Sequence, residues 1–163
     1  MEQYNINLKR LEGPYIHFTR DTDKFNHVYC QVESVKETQL FHAIINGEFC
    51  LTKKELLKQF YLNLNFPSYF SENWDSFDEC INDLEWLESS FFVIFINNFE
   101  LLLSKDLSER ENFFEILMSS IRDWRDGNNY QSEVVPFSII IHSNKDIPET
   151  FNTNLFEMGV NIF

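Results

Sequence analysis

Glycine is scarce in this 163-residue chain: four occur, at positions 13, 47, 127 and 159. None falls in the spacing of a phosphate-cradling loop or a nucleophile elbow, so the common nucleotide-binding and hydrolase signatures are excluded. Cysteine is rare as well. Cys30, Cys50 and Cys80 are odd in number and far apart, which offers neither a disulfide framework nor a thiolate metal site and suits a reducing compartment. His17, His27, His42 and His142 are scattered, no two at metal-ligand spacing, and His42 and His142 read as structural residues. Long apolar runs are missing: the longest, FFVIFI at 91–96, is too short to span a bilayer. The start, MEQYNINLKR, lacks the apolar segment of a leader. The expectation is a cytoplasmic protein with no cofactor, no metal and no membrane association.

Positive charge is the other shortage. Lys and Arg number 13 against 26 Asp and Glu, a net charge of −13. Such a chain is repelled by nucleic-acid backbones and anionic membranes, so direct nucleic-acid binding is not expected. Basic proteins and cations remain as partners, although solubility alone also accounts for an acidic surface. What is abundant is the ring: 17% of residues are aromatic, with 18 Phe. A chain of this length and ring content can bury a substantial core, most simply as one domain.

Along the chain, PYIHFTR (14–20) and HVYCQVES (27–34) read as strands around a polar turn, DTDKFN. FHAIING (41–47) is a third strand ending at Asn-Gly. TKKE (52–55) has capping-box spacing, and Leu56, Leu57, Phe60 and Leu64 follow at helical spacing, predicting a helix over 53–64. A second helix is predicted over 73–86, where Trp74, Phe77, Ile81 and Leu84 make one apolar stripe. FFVIFINNF (91–99) reads as a strand covered on both faces. SERE (108–111) is a further capping box opening a helix that ends near Gly127. PFSIIIHS (136–143) is another buried strand, and the tail offers a short helix and a terminal strand. Strands alternating with helices from residue 41 predict an α/β fold with a small parallel sheet. Residues 1–40 are expected to add a β extension to the same domain in antiparallel fashion, with 41–145 as the core and 146–163 as a tail.

One segment resists a purely structural reading. NWDSFDECINDLEWL (73–87) holds five acidic residues, and no Lys or Arg occurs from 59 to 104. With the apolar stripe buried, Asp75, Asp78, Glu79 and Asn82 are expected to face away from the core. Asp75 lies three residues from Asp78 and four from Glu79, so like charges are neighbours, at a cost of roughly 0.2–0.5 kcal/mol per pair. The helix dipole offsets Asp75 in the first turn but cannot reach Glu79. A solvated surface is the plain reading of such a face.

The stretch AIINGEFCLTKKELLKQFYLNLNFPSYFSENWDSFDECINDLEWL (43–87) resembles the barstar family, intracellular inhibitors of barnase-type ribonucleases. The resemblance lies in a strand ending in ING, a helix, then P-x-Y-[YF]-x-x-N-[LW]-D-[AS]-[LF]-x-[DE]-C-[LI]-x-D-L, residues of fixed type at fixed spacing. The order of elements to about Asn144 is similar too, covering roughly two thirds of the chain. The resemblance implies a compact fold with three parallel strands and helices packed on them. It also implies a non-catalytic protein whose acidic loop and helix enter a basic ribonuclease or nuclease toxin and mimic RNA phosphates. Position by position, it makes Tyr69 an aromatic contact to the enzyme and Asp75 and Glu79 the carboxylates in its phosphate pocket. Phe70 and Asn73 would shape the loop, Cys80 would be a buried helix cysteine, and Asp123 a further acidic contact. Tyr69, Phe70, Asn73, Asp75, Asp78, Glu79, Asn82 and Asp123 form the expected partner-binding set, on a protein monomeric when free.

The chain departs from the family's best-known member at three positions. Glu79 replaces an aspartate and adds a methylene; Asp78 replaces a tryptophan; Ser71 replaces a loop glycine, which raises the cost of any positive φ there. These departures, together with residues 1–40, keep open a second function: an interaction module on the same fold with a non-nuclease partner. An enzyme using paired carboxylates is the third, but it needs a carboxyl in a closed apolar pocket, and the acidic residues are expected on an open helix face.

Overall fold

The computed structural model describes residues 6–8, 12–36, 39–146 and 158–163. Five strands form one sheet: β1 (Ile16–Thr19), β2 (Leu40–Asn46), β3 (Phe91–Asn97), β4 (Phe137–His142) and β5 (Val160–Ile162). Their order across the sheet is β2-β3-β4-β1-β5, and every pairing is parallel. Four α-helices accompany them whole among the described residues: α1 (Thr22–Ser34), α2 (Lys53–Asn63), α3 (Trp74–Ile81) and α4 (Arg110–Asp126). The α/β class and the parallel sheet packed by helices agree with the sequence reading.

Strand β3 shows why the sheet has a layer on each face. Phe92, Ile94 and Ile96 join the larger core with Leu56, Leu57 and Phe60 of α2, Phe77 of α3 and Phe113 and Trp124 of α4. The intervening Val93 and Phe95 face the other way and meet Phe25, Val28 and Val32 of α1. A continuous apolar strand is what two-sided cover requires.

The N-terminal expectation is corrected in two respects. HVYCQVES is not a strand but most of α1, and β1 runs parallel to β4 instead of extending the sheet in antiparallel fashion. The cause is local. Asp21 accepts hydrogen bonds from the backbone N–H groups of Asp23 and Lys24, at 2.9 and 3.1 Å, and so caps a helix. Phe25, Val28 and Val32 then supply a buried stripe at helical spacing. A helix between two strands makes a crossover, and crossovers deliver parallel strands. At the other end, the terminal strand forms beside β1, while the short helix expected in the tail falls largely outside the described residues.

The two capping boxes fare differently. Thr52 Oγ1 accepts from Glu55 N–H at 3.2 Å, and Glu55 Oε2 accepts from Thr52 N–H at 3.0 Å, so α2 starts as expected. The SERE box does not form: α4 begins at Arg110 with no side-chain cap at Glu109. Ser108 lies inside a 3-10 turn, Leu107–Glu109, and so does not stand at the N-cap position. Helix α3 stops at Ile81, short of 86, because Leu84 takes a left-handed conformation with φ 52°, yet Leu84 still reaches the core. Gly47, after β2, is fixed by space: a Cβ there would stand 2.0 Å from the carbonyl oxygen of Asn98. No helix among the described residues is long and apolar enough to cross a membrane.

Candidate protein-binding face

Helix α3 is short, and its ends and inner face explain why it is stable. Asn73 is the N-cap, its Oδ1 accepting from Ser76 N–H at 2.8 Å. Ser76 Oγ in turn accepts from Ser71 N–H at 2.9 Å, tying the preceding loop to the first turn. Phe77, Cys80 and Ile81 are completely buried. Phe77 meets Phe60 of α2 edge-on, with centroids 5.0 Å apart, and packs on Phe113 of α4 at 6.1 Å. Trp74 clamps the N-terminal end: its indole N–H donates to Glu109 Oε2 at 2.6 Å, and the Lys53 ammonium lies 5.1 Å from its ring. The Trp74 bond, helped by Asn112, holds the Glu109 carboxyl below the usual carboxylate range. This is why Glu109 is unavailable as a cap for α4.

The outer face carries charge that the chain does not neutralise. Asp75, Asp78 and Glu79 are exposed. The ion pairs among the described residues are Arg20–Asp146 and Arg125–Asp126, and neither touches α3. Asp123 of α4 joins the same face. Burial and then the Asp123 carboxylate push the Asp78 carboxyl up, with a smaller push from Asp75, against a hydrogen bond from Asn82 that pulls it down. Burial also raises Asp123, which Arg122 partly opposes and Asp126 reinforces. Two helices therefore press carboxylates together. Their order is set inside the fold, where the Trp124 indole N–H donates to the Ile81 carbonyl at 2.9 Å and locks α4 to the end of α3.

The loop before α3 supplies the aromatic residues. Tyr69 is 55% exposed, and the buried Cys80 thiol is its electrostatic neighbour. Burial, then Cys80, Asp83 and Glu79, raise the Tyr69 phenol. The Cys80 thiol is pushed up to about 11, chiefly by burial, so it is inert as a nucleophile. Phe70 is half-buried, edge-on to Phe66 at 5.1 Å and stacked on Tyr61 at 5.8 Å. Ser71, where the resemblance gives glycine, is not among the positive-φ residues, so that substitution carries no backbone strain. The strained position in this connection is Asn65, at φ 52°.

One expected outward residue points inward. Asn82 is 6% exposed. It caps the C-terminal end of α3, its Nδ2 donating to the Asp78 carbonyl and to Asp78 Oδ1, each at 3.0 Å. The stripe count failed here because the helix ends one residue earlier, and a C-cap does not follow helical facing. Asp83 is a residue the sequence reading left out of the face. It borders Tyr69 electrostatically and accepts from Gln131 Nε2 at 2.9 Å. Nothing in the sequence signals a contact 48 residues away, although the i+4 distance from Glu79 is a hint. Among the described residues, no three His, Cys, Asp or Glu converge as a metal site requires.

A comparison with curated proteins gave no match. The family described as Barstar (barnase inhibitor) matches residues 40–141, from the first residue of β2 to the last but one of β4. Proteins of this family act by inhibiting a ribonuclease and catalyse nothing themselves. The match covers well over half of the sequence, and this chain belongs to the barstar family.

Proposed function

We propose that the protein inhibits a basic, barnase-like ribonuclease or nuclease toxin by filling its active site with the carboxylates of α3. Asp75 and Glu79 stand in for RNA phosphates among the enzyme's cationic side chains, with Asp78 and Asp123 extending the charge. Tyr69 packs against the enzyme's catalytic groups, while Phe70 and Asn73 fix the loop and the first turn. Asn82 acts from beneath, holding Asp78 in place by hydrogen bonds. The observation that carries this reading is the exposed acidic face of α3, which receives no ion pair from the described residues although the helix beneath it is rigidly packed.

The physics favours a fast encounter. A ribonuclease gathers positive charge at its cleft, and a partner at −13 is attracted over a Debye length, about 8 Å at physiological salt. Steering of this kind raises association rates toward about 10⁸–10⁹ M⁻¹s⁻¹ at low salt. An inhibitor that guards the cytoplasm against an RNA-cutting enzyme depends on such speed.

The test is inhibition of RNA cleavage by barnase and other basic bacterial ribonucleases. Asp75→Ala combined with Glu79→Ala is expected to weaken inhibition by about 100-fold or more, with thermal unfolding unchanged or slightly improved. A double variant that inhibits as well as its parent removes these two residues from the site.

A further inference from the structure

The loop after α4 carries the most exposed aromatic ring among the described residues: Tyr130 leaves 68% of its surface in solvent. The loop around it, in contrast, is tied down by hydrogen bonds. Tyr130 N–H donates to the Asn82 carbonyl at 3.0 Å. Gln131 Nε2 donates to the Asp83 carboxylate at 2.9 Å and to its carbonyl at 3.3 Å. Asn129, 5% exposed, closes the loop on itself: its Nδ2 donates to the Glu133 carbonyl at 2.6 Å, and its Oδ1 accepts from Gln131 N–H at 3.0 Å. A loop tied this way presents its ring with little conformational freedom left to lose, and that favours binding.

The place where the loop is tied matters most. Asn82 and Asp83 form the C-terminal edge of the acidic face, and Asp83 is also the electrostatic neighbour of Tyr69. The loops before α3 and after α4 thus both reach the Asn82–Asp83 edge, one by the electrostatic contact of Tyr69 with Asp83 and the other by the backbone of Tyr130 and the side chain of Gln131. No ring of the described residues stacks on Tyr130, so its aromatic face is open.

We propose that Tyr130 is a second aromatic anchor of the ribonuclease-binding face, taking an arginine or lysine from the rim of the enzyme's cleft against its ring at the Asn82–Asp83 edge of the acidic face. This rests on the inhibitor reading above. A cation held over an aromatic face with a carboxylate alongside gains from both, and tyrosine is among the residue types that dominate interface energetics. The carboxylates of Asp78, Asp83 and Asp123 make the surroundings complementary to a basic partner and to no acidic one.

The experiment measures affinity of the full chain for barnase, with thermal unfolding in parallel. Tyr130→Ala is expected to weaken binding by about 30-fold with an unchanged Tm, and Tyr130→Phe to stay close to the parent. Phe49→Ala, on another exposed aromatic of the Gly47–Phe49 turn, should bind as the parent does. If Tyr130→Ala binds normally while Asp75→Ala with Glu79→Ala does not, the anchor is wrong and the inhibitor reading survives. If the parent binds neither barnase nor other basic ribonucleases, both fall together. Should Tyr130→Ala lower the Tm, Tyr130→Lys decides, because a like charge facing the enzyme's cation must weaken binding beyond the alanine level; equal losses overturn the assignment.

Discussion

Replacing Asp78 by asparagine should make the free protein more stable and the inhibitor worse. Asp78 has two like-charged neighbours, Asp75 on its own helix and Asp123 on α4, and its carboxyl is raised by burial and by both of them. Removing the charge relieves two repulsions, each worth about 0.2–0.5 kcal/mol at a solvated site, or about 0.4–1 kcal/mol together. The hydrogen bond from Asn82 Nδ2 to Asp78 Oδ1, at 3.0 Å, is retained because an amide oxygen accepts as well. For a chain of this size each kcal/mol moves Tm by about 2–4 °C, so Asp78→Asn is expected to raise Tm by about 1–4 °C at pH 7.

The sign with pH follows from the direction of the shift. A carboxyl raised on folding binds its proton more tightly in the native state, so the native state is favoured below the unfolded pKa. That advantage is lost as pH rises through the folded value, and the full penalty is present at pH 7. Calorimetry at pH 7 and again below the carboxylate range should therefore show the gain shrink as both proteins become neutral at position 78. High salt should shrink it too, since at 1 M the Debye length is about 3 Å. A Tm that falls on substitution, or a gain that persists unchanged in acid, refutes the account of crowded carboxylates.

Two further outcomes test the frame that holds the face. His17 is buried at 4% exposure and its imidazole is pushed down to about 4, chiefly by burial. As pH falls below about 6.5 the unfolded chain takes up a proton that the native state refuses until about 4, so stability should drop across that window by on the order of 3 kcal/mol. Urea titrations of His17→Gln should lack that slope. Trp124 stacks on Phe137 with centroids 6.3 Å apart and bonds the Ile81 carbonyl. Trp124→Ala is expected to cost about 3–5 kcal/mol, and Trp124→Phe about 1–3 through the orphaned carbonyl, measured by urea unfolding.

The segments read correctly from sequence are those where one local signal and the tertiary context agree. Thr52 and Glu55 cap α2 as their spacing demands, and Phe91–Asn97 is buried on both faces as an unbroken apolar run should be. The errors arise where one residue pattern serves two structures. Asp-Thr-Asp is a turn signal and equally an N-cap signal. In Asp21–Lys24 the cap prevailed, because Phe25, Val28 and Val32 could bury a stripe against β3 and β4 only as a helix. That single exchange turned an antiparallel hairpin into a parallel crossover. In SERE the helix start moved: Leu107–Glu109 wind as a 3-10 turn, so Ser108 is not the residue before α4, and Glu109, which is, gives its carboxylate to the Trp74 indole 35 residues away.

The acidic face was legible because an unneutralised run of carboxylates is a statement about composition, which tertiary contacts among the described residues did not revise. Its boundary was not legible, since the boundary depends on where α3 stops. Asn82 passes from surface to support once the helix ends at Ile81, and Asp83 passes from the flank to the edge of the face. These two changes have one consequence. The repelled carboxylates are held from behind by uncharged groups: Asn82 beneath Asp78, the Asn73 cap on the first turn, and the Trp124 indole on the Ile81 carbonyl. A cation from the same chain would have stabilised the helix more, but under the proposed function it would also have occupied the place of a partner's cation. Neutral support keeps the charges in position and leaves them unsatisfied, and the proposed inhibition by offered charge requires both.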